Sequence, residues 1–202
     1  MKTIAIFLFS VAVLTVQAQD WDAVQKAFST SYALETAGKY DGAASEILRI
    51  YNEDSYEINV RLGWLHYLAG HFRESEGYYQ KAIKIAPKAV DPILGIVYPL
   101  SAQNRWEDVV KHYQTILTLD PKNTTVNYRM GMIFYNRKDY KTAKIFFTEV
   151  LILYPFDYDC TVMLAWCQFQ LAAYPEAKTL FQKALVAKPA DKSATEGLSL
   201  IK

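Results

Sequence analysis

The side chains best suited to acid–base, nucleophilic or metal chemistry are few in this sequence. They are three histidines, His66, His71 and His112, and two cysteines, Cys160 and Cys167. No pair of histidines stands at the spacing of an HExxH zinc site, and no CxxC or Cys/His cluster accompanies the thiols. No GxSxG elbow, P-loop or dinucleotide fingerprint occurs. An enzyme is therefore not expected, nor a cofactor or a metal. His66 reads as a packed core residue, His71 as a turn residue and His112 as exposed in mid-helix. On one helix the seven-residue gap between Cys160 and Cys167 spans about 10 Å along the axis. Disulfide Cα separations stay below about 7 Å, so the two read as buried apolar thiols. Aromatic rings, by contrast, are plentiful at 14% of residues. Their broad apolar faces can fill a core or hold another molecule.

Those rings are placed by a repeat. Pro87, Pro121, Pro155 and Pro189 stand 34 residues apart, and Phe72, Trp106, Tyr140 and Tyr174 march with them. Tyr40 leads that second series at a gap of 32. A fixed period of this size means stacked copies of one small unit. Five units are expected, at about 22–55, 56–89, 90–123, 124–157 and 158–191. Each is two helices and a turn. In the first, a helix from about Asp22 to Thr36 meets the turn Ala37-Gly38-Lys39, with Asp41 as N-cap of the second helix. Ala43, Ala44, Ile47 and Leu48 then recur at helical spacing. Residues 192–202 read as a closing helix whose Ala194, Leu198 and Ile201 cover the end of the stack. Pro99 lies about ten residues into a helix, where it removes one hydrogen bond and crowds the Gly95 carbonyl. Either it kinks that helix beside Tyr98 or it ends it early, and the early end is the expectation.

The first 18 residues stand apart. Lys2 is followed by an uncharged apolar run from Ile4 to Val16, and Val16-Gln17-Ala18 suits a signal-peptide cleavage site. The run is shorter than the roughly 20 residues that span a bilayer. The mature chain is thus expected to be exported, periplasmic or secreted, with no stable membrane insertion. Setting Lys2 aside leaves 21 basic and 21 acidic residues. That balance argues against nucleic acid as a partner, since such binding needs a cationic excess.

The unit itself resembles the tetratricopeptide repeat. That family has small residues at positions 8, 20 and 27, aromatics at 11, 17 and 24, and proline at 32. Gly63, Gly131 and Ala165 match position 8, and Ala143 and Ala177 match position 20. Tyr79, Tyr113, Phe147 and Phe181 match position 24, and Ala82 and Ala184 match position 27. Val97, Val109 and Ser75 depart from the pattern. The resemblance implies an all-α fold, a right-handed superhelix (an α-solenoid) of about five helix-turn-helix repeats with a capping helix.

It also implies a concave groove lined by positions 2, 5, 9, 12 and 13 of each first helix. Position 9 gives Tyr32, Trp64, Tyr98, Met132 and Trp166, and position 12 includes Tyr67 and Tyr135. Tyr128 falls at position 5, and Arg61 and Arg129 at position 6 edge the groove. The Lys and Asn of the family's carboxylate clamp are absent from positions 5 and 9. The rings could instead pack between neighbouring helices. The resulting expectation is a non-enzymatic scaffold or adaptor that binds a protein or peptide in an aromatic-lined groove. A small-ligand or carbohydrate binder and an inactive subunit of an envelope enzyme complex are the alternatives, and self-association is open.

Overall fold

Eleven helices make up the described residues, 20–201, of the computed structural model, and no strand occurs among them. The leader expected over residues 1–18 lies outside that range. The helices are α1 (Trp21–Thr36), α2 (Tyr40–Leu48), α3 (Tyr56–Leu68), α4 (Phe72–Ile85), α5 (Val90–Ala102) and α6 (Trp106–Leu119). They continue as α7 (Thr124–Asn136), α8 (Tyr140–Leu153), α9 (Tyr158–Gln170), α10 (Tyr174–Ala187) and α11 (Lys192–Leu200). None of them is long and apolar enough to cross a membrane. From α3 onward each first helix, and each second helix, restarts 34 residues after the last. Positions are counted below from the first residue of each odd-numbered helix, and from Val24 in α1.

Local chemistry sets these boundaries. Asp20, Ser55, Asn123, Asp157 and Asp191 each accept a hydrogen bond from a first-turn backbone N–H, which satisfies a donor the helix itself cannot. Asp41 has no such role: α2 begins one residue earlier, with Lys39 at its N-cap. The turn inside each pair places position 15 in the left-handed region. Glycine takes it in the first two units, Gly38 and Gly70, and then Asn104, Lys138 and Ala172 do. The prolines sit two residues beyond α4, α6, α8 and α10, where no helical partner is lost. Pro99 does not end α5, which runs on to Ala102. Its missing N–H leaves the Gly95 carbonyl without that helical donor, while the Pro99 carbonyl itself accepts from Gln103 Nε2 at 3.0 Å.

The core is a row of wedges. The position-24 ring of α4, Tyr79, lies between position 8 of its own first helix and position 6 of the next. Tyr79 occupies the space that a Cβ on Gly63 would need at 2.9 Å and one on Gly95 would need at 2.2 Å. Phe147 fills the equivalent space over Gly131, and Phe181 that over Gly197. These rings are buried to within a few per cent, with Ile47, Leu62, Ile93, Ile116 and Met130 around them. No helix pair can bury its apolar face alone, so the stacking of neighbours supplies the stability.

Position 6 faces the ring carried by the preceding second helix. Gly95 lets α5 close on the Tyr79 ring of α4, and Gly197 lets α11 close on the Phe181 ring of α10, while α5 also touches α3 and α11 touches α9. Clefts open between α1 and α3 beside Arg61, and between α5 and α7 and between α7 and α9 on either side of Arg129.

Candidate functional site

These clefts lie along the first helices, the side on which the groove was expected. The largest, about 800 Å³, lies between α1 and α3. Phe28, Tyr32, Tyr40, Tyr56 and Trp64 give it aromatic walls, and Glu35 and Arg61 lie at its base. Tyr32 is 55% exposed. Beneath its ring lies the Arg61 guanidinium, 3.9 Å from the centroid. Arg61 is only 5% exposed: it donates to Ser31 Oγ at 3.0 and 3.1 Å and pairs with the Glu35 carboxylate. The other Glu35 oxygen accepts the Trp64 indole N–H at 2.8 Å. Arg61 is thus held below the groove surface and its charge is spent inside the protein.

At the centre, where α3 and α5 touch, Trp64, Tyr67 and Tyr98 form one cluster. Their ring centroids are 5.3 to 5.7 Å apart, and Trp64 and Tyr98 meet edge to face. Tyr98 keeps 38% of its surface exposed. The cluster continues into the cleft of about 470 Å³ between α5 and α7, bordered by Trp106, Met132 and Arg129. Arg129 also borders the cleft of about 560 Å³ between α7 and α9, with Tyr128 and Asp159. Arg129 is exposed and forms no ion pair among the described residues. It lies beside Tyr113: burial pushes that phenol's pKa up, and the Arg129 charge pulls it part of the way back.

The remaining expected residues are half-buried. Tyr128 meets Phe147 edge to face at 6.0 Å, and Tyr135 meets Tyr140 at 5.3 Å. Trp166 donates its indole N–H to Ser193 at 2.8 Å and packs on Phe181 at 5.0 Å, which ties α9 to the closing helix. Tyr32, Trp64, Tyr67 and Tyr98 are therefore gathered on one face, while Trp166 sits under α11. Tyr40, Tyr56 and Trp106 border these clefts without having been expected to, whereas position 12 already places Glu35 along the groove. Glu35 carried a legible signal, as the one acid among the position-12 residues.

The groups fit for covalent chemistry are shielded. Burial pushes both thiols up, Cys167 to about 12, so they stay protonated and weakly nucleophilic. His66 stacks on Tyr78 at 5.1 Å, and both its ring nitrogens lack a partner among the described residues. His112 is half-buried rather than exposed, and burial holds its imidazole below the ordinary value. No group of three or more His, Cys, Asp and Glu among the described residues could hold a metal ion.

The class defined by this architecture is the α-solenoid, and comparison with known proteins makes it more specific. Residues 56–89 and 126–156 each match the family described as Tetratricopeptide repeat. The fold is that of the tetratricopeptide solenoids. A tetratricopeptide repeat protein from Parabacteroides merdae superposes with a TM-score of 0.74 at 17% identity, over 88% of this chain and 72% of that one. YrrB, a tetratricopeptide protein whose structure is described as having an unusual peptide-binding site, superposes with a TM-score of 0.68 at 14% identity. That match covers 89% of this chain and 97% of YrrB. Among curated proteins, RNA polymerase-associated protein CTR9 of Caenorhabditis elegans is 28% identical over 99 residues. Those residues are 48% of this chain and only 9% of CTR9.

Proposed function

We propose that the protein is an exported, non-enzymatic scaffold or adaptor that holds an extended protein segment against the exposed rings of its first helices. The observation that carries this reading is the aromatic surface itself. Tyr32 and Tyr98 present open faces beside clefts of about 800 and 470 Å³, and the half-buried Trp64 and Tyr67 join the two. Contiguous exposed apolar surface rimmed by polar groups marks interaction sites. Rings suit that task because they bring large contact area at little cost in side-chain entropy. The peptide-binding site described for YrrB, on the same fold, supports the reading by analogy. Export rests on the apolar run before Ala18.

The test is affinity capture from an envelope or culture-medium fraction with wild type and a Tyr32→Ala/Tyr98→Ala variant. Both side chains are exposed, so helical content by circular dichroism should not change. Loss of the captured protein from the variant supports the groove. Equal capture by the folded variant refutes it.

A further inference from the structure

We propose that the bound segment presents an acidic side chain to Arg129, in the place that Glu35 takes beside Arg61 two units earlier. The inference rests on the peptide-binding reading above and deepens it. The repeat supplies its own template. Arginine stands at position 6 of a first helix twice, as Arg61 and Arg129. At Arg61, position 12 of the preceding unit is Glu35, and its carboxylate bridges the guanidinium and the Trp64 indole. At Arg129, the same two places hold Ser101 and Met132, and neither brings a negative charge. The two acids nearest along the α7/α9 cleft do not replace it. Asp157 is engaged as the N-cap of α9, accepting from Cys160 N at 2.7 Å, and Asp159 forms no ion pair with Arg129.

Arg129 touches the Tyr113 hydroxyl but has no carboxylate partner among the described residues, so its exposed fork stands open beside an aromatic wall, and an arginine fork matches a carboxylate in geometry and charge. It borders two clefts, one on each side of α7. A chain that places its acid there has groove to run through in both directions. An internal Asp or Glu, flanked by apolar residues that lie on Tyr67, Tyr98 and Trp106, fits that arrangement. A chain terminus would leave one of the two clefts unused.

An array of acetylated, amidated nonapeptides of mixed sequence, without terminal charges, tests this on wild type, Arg129→Gln and Arg129→Glu. Wild type is expected to select peptides with Asp or Glu at one fixed position. Changing that acid to its amide, or using Arg129→Gln, should weaken binding about ten- to a hundredfold, the worth of one charge-assisted hydrogen bond pair. Arg129→Glu, with unchanged circular dichroism, should select Lys or Arg at the same position. Selected peptides with no acidic preference overturn this inference and leave the groove reading standing. Tighter binding of free-carboxylate peptides lacking an internal acid also overturns it. If no peptide is selected, both readings fall.

Discussion

Replacing Glu35 by Gln would leave the buried Arg61 guanidinium without its counter-charge. Removing one partner of a buried pair costs about 3–5 kcal/mol, and here the Trp64 indole would also lose its charged acceptor. Glu35→Gln should therefore lower stability in urea denaturation by about 3 kcal/mol. Arg129→Gln should stay within about 0.5 kcal/mol of wild type, as exposed substitutions do. Similar losses in the two variants would contradict the separation of roles at position 6. This contrast was only half legible in the sequence. Both arginines occupy the same place in the repeat, so counting alone put both at the groove edge. What distinguishes them is position 12 of the preceding unit, which is Glu35 for Arg61 and Ser101 for Arg129. That pairing forms only once the units are stacked.

Among the elements, α5 shows best what periodicity can and cannot fix. Its start at Val90 follows from the 34-residue period, but its passage through Pro99 does not, because a proline in mid-helix argues locally for a stop. Stacking decides otherwise: Ile93, Ile96, Val97 and Leu100 are all buried, and an early end would expose the last of them. Gly95 likewise reads locally as a relief for the proline. In the fold it is the gap into which the Tyr79 ring fits, with 2.2 Å between a built Cβ and the ring edge. Gly95→Ala must push α5 from the Tyr79 ring of α4 and should cost about 1–3 kcal/mol, as overpacking does. Gly77, in the middle of α4, has open space where a Cβ would go. Gly77→Ala should then stabilise by about 0.5–1 kcal/mol, since alanine favours the helix. Thermal melts of both variants check the pair, and a neutral Gly95→Ala would contradict the close fit of α5 on the Tyr79 ring.

Across the whole molecule, α11 covers Phe181 and Ala184, so the stack is closed at that end as a terminal repeat requires. The number of units and the closing helix were legible because they follow from a period and an apolar stripe. The shape of the groove was not, since its clefts lie between first helices of different units and exist only once the units are stacked. Exposure also differs among the position-9 rings: Trp166 lies under the cap, whereas Tyr98 faces solvent. The most direct measurement is a crystal structure of the chain with the tightest peptide from the array. The expected complex has an extended backbone along the first helices, apolar side chains on Tyr98 and Tyr67, and a carboxylate on Arg129. A peptide seated on the second helices, with Tyr32 and Tyr98 still facing solvent, would contradict it.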